Sequence, residues 1–176
     1  WQFHEINYAN DPEWIFRPGG AAEAAEAALK SGKVRHVGFT GHKDPQYLLG
    51  MLEYDFPWTA AQMPINVLDA NYRSFAKQVL PELQKRGISG IGMKSVGGRG
   101  QLITEVGLTP EQCLRYALSQ PIVTLVTGID SVEVLEQNLK IARDFTPIPA
   151  EEQQALTDSA REVAGDGRYE WTKTTN

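Results

Sequence analysis

Apolar residues along this chain follow two rhythms that take turns. Short runs rich in β-branched, aromatic or small apolar residues stand at positions 1–6, 34–42, 59–65, 88–94 and 122–127. After each comes a polar stretch, then a segment whose apolar side chains recur every three or four positions. Short buried strands alternating with amphipathic helices are the pattern of repeated βα units around a parallel sheet. The run at 34–42 is the most informative. Val34, Val37 and Phe39 lead to Thr40, Gly41 and His42, and Asp44-Pro45 then supplies an N-cap and a first helical residue. A strand so apolar is buried on both faces, and a ligand is expected at its C-terminal end.

The first run puts Gln2, His4 and Ile6 on one face and Trp1, Phe3 and Glu5 on the other. Residues 7–20 read as a loop ending in a helix start, and 21–31 as an Ala-rich helix stopped by Gly32. Leu48, Leu49, Met51 and Leu52 form the stripe of the helix that Asp44 caps. The third strand is interrupted by Pro64, and residues 66–69 are its exit loop. A helix is expected over 72–86, with Phe75, Val79, Leu80 and Leu83 inward and a kink or fresh start at Pro81. The fourth strand runs into the glycine-rich loop 95–101, where Lys94 and Arg99 add positive charge; this is an anion site or an ordinary turn. Thr109-Pro110-Glu111-Gln112 is a capping box for a helix to about Ser119. The fifth strand leads through Gly128 and Ser131 into a helix over 132–143 with Leu135, Leu139 and Ala142 on one face, and the N-terminus of that helix is a candidate anion site. A last helix, from 150 to about 163, packs Ala155, Leu156 and Ala160, and the tail 165–176 reads as extended.

Composition narrows the partners. With 176 residues and 41% hydrophobic content, the chain has material for one sizeable core. Its net charge of -5 comes from interspersed acids and bases, with no basic stripe for nucleic acid. No apolar run approaches the ~20 residues of a membrane span. The single Cys113 falls in a helical pattern and reads as a small buried hydrophobe. His4, His36 and His42 have no acidic or cysteine cluster at ligand spacing, so no metal is expected. Because Trp1 already reads as strand, the chain is expected to continue a longer protein. A complete (β/α)8 barrel takes roughly 250 residues, so about three further βα units are expected on the N-terminal side of these five.

Five stretches, in this order and spacing, resemble the C-terminal part of the aldo-keto reductases, NAD(P)H-dependent oxidoreductases on a (β/α)8 TIM-type barrel. They are 1–5 (Trp-Gln-Phe-His-Glu), 37–42 (Val-Gly-Phe-Thr-Gly-His), 62–66 (Gln-Met-Pro-Ile-Asn), 90–98 (Gly-Ile-Gly-Met-Lys-Ser-Val-Gly-Gly) and 128–138 (Gly-Ile-Asp-Ser-Val-Glu-Val-Leu-Glu-Gln-Asn). The resemblance implies that the chain, as one portion of a single domain, supplies about strands 4 to 8 of that barrel and the helices after them. It implies that His4 is the histidine of the catalytic tetrad, which polarises the substrate carbonyl. Thr40, Gly41 and Gln62 would hold the nicotinamide carboxamide, and Met93 would lie against the nicotinamide ring. Lys94, Ser95, Val96, Gly97 and Gly98 match the pyrophosphate loop, and Gly128, Ile129, Asp130, Ser131, Gln137 and Asn138 the adenosine-phosphate and adenine region.

Four departures from the family pattern matter. Gly41 stands where many members carry asparagine, so His42 or backbone must replace its hydrogen bond. Met93 stands where an aromatic ring usually stacks. Asp130 stands beside the expected 2'-phosphate position, which favours NADH or relaxed specificity over NADPH unless Arg143 or another base reaches in. The family's acid tyrosine, with its lysine and aspartate, belongs to units expected before Trp1, and none of Tyr8, Tyr47, Tyr54, Tyr72, Tyr116 and Tyr169 matches it. The expected activity is therefore that of a completed parent, reducing an aldehyde or ketone to an alcohol in the cytoplasm, with the 176-residue chain inactive alone. Two rival expectations are a non-catalytic nicotinamide-nucleotide-binding subunit and a structural half-barrel that self-associates through its open edges.

Overall fold

The structure is a computed structural model and describes residues 1–175. Five parallel strands lie side by side in sequence order: β1 (Gln2–Phe3), β2 (Val37–Thr40), β3 (Trp58–Pro64), β4 (Ser89–Met93) and β5 (Thr124–Leu125). Parallel neighbours need crossover connections. These are α1 (Asp11–Phe16) with α2 (Ala21–Lys30), then α3 (Pro45–Met51), then α4 (Phe75–Gln78) with α5 (Leu80–Lys85), then α6 (Gln101–Thr104) with α7 (Pro110–Leu118). After β5 come α8 (Val132–Arg143), α9 (Ala150–Ala164) and α10 (Trp171–Thr174). The sheet is open, with β1 and β5 as its edges.

Burial falls from the centre of the sheet outward. All four residues of β2 are buried, and Phe39 packs with Leu48, Met51, Met63, Val79 and Leu83. Gly38 is required there, since a Cβ would stand 2.4 Å from the Ala60 carbonyl oxygen. Phe3, Phe16, Phe39 and Phe56 gather round Trp58, whose indole N–H donates to the Met51 carbonyl at 3.2 Å. A second cluster, including Leu68, Leu102, Cys113, Tyr116, Leu156 and Ala160, fastens α7 and α9 beneath the exit loops. Burial there pushes the Cys113 thiol up to about 11, which keeps it protonated and inert.

The caps form as the sequence predicts. Asp44 accepts from the Gln46 N–H at 2.9 Å, and Thr109 and Gln112 make a reciprocal capping box. The helix expected over 72–86 is broken at Val79 into α4 and α5, with Pro81 in the first turn of α5, and begins only at Phe75, because Ser74 caps the Lys77 N–H there. Other expectations need correction. The strand at 1–6 is ordered as β1 over two residues, because Glu5 turns into a left-handed conformation (φ 59). Inside the expected loop 7–20 stands α1, whose Asp11 carboxylate accepts from the Asn7 and Tyr8 N–H groups. The strand at 122–127 is confined to β5, since only β4 pairs with it. On α8, Leu135, Leu139 and Ala142 are exposed, because nothing packs against that side of the open edge. Ala155 is also exposed, whereas Leu156 and Ala160 are buried. The tail, expected extended, turns helical at α10 and buries Lys173.

Because Phe39 is wholly buried at the middle of the sheet, Phe39→Ala is expected to destabilise the chain by about 3–5 kcal/mol. Urea unfolding followed by circular dichroism reads this directly, and an unchanged midpoint would contradict the placement of the core.

Candidate functional site

The C-terminal ends of β1, β2, β3 and β4 all open on one side of the sheet, and polar residues follow each of them. Two of these strand ends carry a non-glycine residue in the left-handed region, Glu5 at φ 59 and Lys94 at φ 55, each costing roughly 1–3 kcal/mol. A neighbouring strand end holds each in place. The Glu5 N–H donates to the Thr40 hydroxyl at 3.1 Å, and the Asn66 side-chain amide donates to the Lys94 carbonyl at 2.9 Å. Asn66 also accepts from the Asp69 N–H at 2.9 Å, so one buried amide bridges the exits of β3 and β4. Asn66 was not among the expected site residues. Its signal in the sequence was only that of a polar residue at a strand end.

Between these ends lies a cleft of about 480 Å³ whose walls include His4, His42, Lys94, Tyr8, Lys43 and Trp171. The imidazole Nδ1 of His42 lies 3.7 Å from a Glu5 carboxylate oxygen. Burial holds the His42 pKa below its ordinary value, the Lys94 ammonium lowers it further, Glu5 works against both, and His4 adds to the lowering. His42 is therefore a neutral imidazole at pH 7, able to donate from one nitrogen and accept at the other. Lys43 lies over the Tyr8 ring at 5.3 Å, and Arg99 over the Trp171 ring at 4.7 Å.

Beneath the cleft, Thr40 pairs in register with Gln62, and Gln62 reaches the next strand, its amide N–H donating to the Met93 sulfur at 3.5 Å. A thioether is a weak acceptor, so the Gln62 amide keeps hydrogen-bonding capacity for a ligand. Gly41 has no room for a side chain, because a Cβ would stand 2.3 Å from Leu48 Cδ1 and 2.9 Å from the Ile6 carbonyl. After β4 the chain turns at Gly97 (φ 82), whose N–H donates to the Lys94 carbonyl at 2.9 Å. Ser95 is buried, Val96 packs on the second apolar cluster, and Gly98 is exposed with the Trp171 indole nitrogen 3.1 Å from where its Cβ would be.

The remaining expected residues lie apart from the cleft, beyond the β5 edge. Gly128, Ile129, Asp130 and Ser131 are exposed there, and Ser131 caps α8 by accepting from the Val134 N–H at 3.2 Å. Asn138 reaches back to the Thr127 hydroxyl at 3.1 Å. Glu133 adds a second carboxylate beside Asp130, and backbone hydrogen bonding at this helix start holds its pKa down. Arg143 stands in the last turn of α8, about 18 Å along the axis from Ser131 at 1.5 Å per residue, and does not offset those charges. Gln137 faces a separate groove between α7 and α8, beside Arg115 and Lys140. Missed by sequence reasoning were Trp171, Thr172 and Thr175, which line the cleft from the tail. The signal was the pair Tyr169 and Trp171 in a terminal segment, where bulky aromatics mark docking.

The polar groups gathered at these strand ends are a Gln62 amide bonded only weakly to Met93, a neutral imidazole at His42, an ammonium at Lys94 and a glycine turn after it. Among the described residues no group of three or more His, Cys, Asp or Glu side chains is placed to hold a metal ion, and no helix is long and apolar enough to cross a membrane.

Two expectations about this site are measurable. Lys94→Met should raise the His42 pKa, seen by NMR of the imidazole Cε1 proton; a shift downward or none would show that Lys94 does not act on it. Gly41→Asn should destabilise the fold by about 1–3 kcal/mol through overpacking against Leu48, read as a lower urea midpoint.

No family model matches the sequence, and no curated protein matches it either. Solved structures do. An aldo-keto reductase from Bacillus halodurans in its holo form is 21% identical, with a TM-score of 0.67 over 90% of this chain and 59% of that one. An aldo/keto reductase from Brucella melitensis is 13% identical at a TM-score of 0.62, over 90% and 59% of the two chains. A third aldo-keto reductase, in complex with NADPH, is 17% identical at 0.58, over 90% and 53%. The chain thus spans somewhat more than half the length of the proteins it resembles. Its fold is that of the aldo-keto reductase (β/α)8 barrel, present here as an open five-stranded part.

Proposed function

We propose that this chain is the C-terminal portion of a single aldo-keto reductase barrel and serves a nicotinamide-dependent reduction of an aldehyde or ketone. The observation that carries the reading is the meeting of His4, His42 and Lys94 in one cleft at the C-terminal ends of the parallel strands β1, β2 and β4, with Gln62 of β3 bonded to Met93 of β4. The aldo-keto reductase fold of the chain, and a structural neighbour in complex with NADPH, support the same conclusion.

The bound nicotinamide would supply a hydride to the carbonyl carbon. The residues of this chain bind, orient and polarise. Gln62 and the Thr40 hydroxyl take the carboxamide, with neutral His42 supplying the bond that Gly41 has no side chain to make. Met93 gives a soft apolar contact for the ring. The Lys94 ammonium and the turn through Ser95, Val96, Gly97 and Gly98 face the pyrophosphate. His4, exposed to the cleft, donates toward the carbonyl oxygen as negative charge develops there. The acid that delivers the proton would come from the remaining βα units, which would also cover the edges at β1 and β5. Without that cover, Val123, Val126, Val132 and Leu135 present an apolar face that favours self-association.

At the adenosine end, Asp130 and Glu133 put two exposed carboxylates beside the α8 N-terminus, so we assign NADH or relaxed preference. The test is a fluorescence titration with NADH and NADPH, with circular dichroism confirming the fold. Trp171 on the cleft wall is the reporter, and saturable quenching in the micromolar range is expected, no weaker for NADH than for NADPH. Asp130→Lys should strengthen NADPH binding several-fold. A folded chain with no saturable quenching by either nucleotide would overturn the reading.

A further inference from the structure

The C-terminal tail is held over the cleft by a charge group with no access to water. Lys173 Nζ donates to Asp69 Oδ1 at 2.7 Å and to the Tyr72 carbonyl at 2.7 Å, and it forms an ion pair with Glu170 Oε1 at 2.8 Å. It also stands 5.2 Å from the centre of the Phe75 ring. The side chains of Lys173 and Asp69 are fully buried, and that of Glu170 nearly so. Asp69 is well satisfied, because it also accepts from Ser74, Phe75 and Ala76. Glu170 is not: its second oxygen, Oε2, is buried with no hydrogen-bond partner. Beyond it, a void of about 20 Å³ lined by Asn66, Lys94, Gly98 and Trp171 separates the tail from the loop after β4.

This group is neutral only when Glu170 carries a proton. With both carboxylates ionised, one negative charge stays buried without compensation, and an uncompensated charge favours whichever conformation returns it to water. The conformation that can do so is local. Gly167 sits on the Tyr72 ring with φ 77, and the segment after it is held to the body by Lys173 and by Trp171 against Gly98 and Arg99.

We propose that residues 170–175 form a strap that closes one wall of the cleft, latched by Lys173 between Asp69 and Glu170 and released as the medium goes from acid to neutral. When latched, the strap sets Trp171, Thr172 and Thr175 into the wall opposite His4 and His42. When released, it uncovers Lys94 and the glycine turn. The strap is independent of what the cleft binds, and its test requires no ligand.

The charged and titratable groups around Glu170 are Lys173 on its own turn, Asp69 at the exit of β3, Lys94 at the end of β4 and Tyr169 beside it, with Tyr116 of α7 behind Asp69. Burial pushes Glu170 up to about 7, Lys173 draws it down, and Asp69 pushes it up again. A free glutamate titrates at 4.5, so the latched strap holds a proton that the released strap loses between pH 4.5 and about 7. Latching is therefore fully favoured below that window, weakens through it by up to about tenfold per pH unit, and changes no further above it.

The reporters are the Lys173 and Thr175 amides, which donate to the Glu170 and Trp171 carbonyls at 2.8 and 2.9 Å. Hydrogen exchange of these amides, corrected for the intrinsic pH dependence of exchange, should lose protection as pH rises from 5 to 7 and then level off. The Ile65 amide, bonded to Met93 between β3 and β4, should keep its protection throughout. Glu170→Gln should keep the strap protected with no pH dependence. Protection of Lys173 and Thr175 that is flat with pH in the unaltered chain would overturn the proposal, as would a slope that persists in Glu170→Gln.

Discussion

Asp69 is where three distant parts of this chain are tied together. Its carboxylate accepts the first N–H groups of α4, the Ser74 hydroxyl and the Lys173 ammonium, and its own N–H donates to Asn66. Replacing a buried ion pair with apolar residues of similar volume is often neutral, so the pair with Lys173 adds little net stability. Its effect is on specificity. A buried carboxylate left alone costs about 3–5 kcal/mol, so any fold that buries Asp69 must bring Lys173 to it across 104 positions of sequence. The exit turn of β3 and the start of α4 are therefore fixed relative to each other, and the tail is fixed to both while Lys173 holds Asp69.

Through Asn66 this constraint passes to the candidate site. Asn66 bonds both the Asp69 N–H and the Lys94 carbonyl, which holds Lys94 in its left-handed conformation with its ammonium at the cleft. Lys94 in turn lowers the pKa of His42 and so helps keep that imidazole neutral. A charged group just after β4 thus adds to what burial does to the protonation of a residue after β2, and its own position comes from a turn after β3. Each link is a short hydrogen bond or a charge acting in a poorly hydrated space, where such effects are larger than in water.

Much of this was legible in the sequence where the signal is local. The Asp44-Pro45 cap, the Thr109 box and the fresh helix start with Pro81 in its first turn all rest on residues within a few positions of one another, and all form. Gly41 was legible as a departure, while the reason for it, contact with Leu48 and Ile6, required the packed structure. Periodicity misled at α8 and at Ala155. An apolar stripe states which face can be buried, and burial depends on a neighbour, which the open edge beside α8 does not provide. The helix α1 was hidden by its Asn-Asp-Pro start, which signals turn and helix entry alike. The tail was hidden for a different reason. Lys173 in a polar terminal run looks solvated, and nothing within ten residues reveals that its partner is Asp69.

The two halves of the proposed cofactor site differ in how firmly they are built. Thr40, Gln62, Met93 and Lys94 stand on β2, β3 and β4 or directly after them; each of these strands is paired on both sides, and their residues are mostly buried. Gly128 to Asn138 stand beyond β5, an edge strand of two residues followed by a helix with no buried side chain. A ligand spanning both would find the nicotinamide end preorganised and would have to order the adenosine end on binding, and that ordering subtracts from affinity. Covering the β5 edge with a further strand would remove the cost without changing any contact near His4. In the proposed reading, the nicotinamide contacts therefore rest on the interior strands, and the strength of cofactor binding on what lies against the β5 edge.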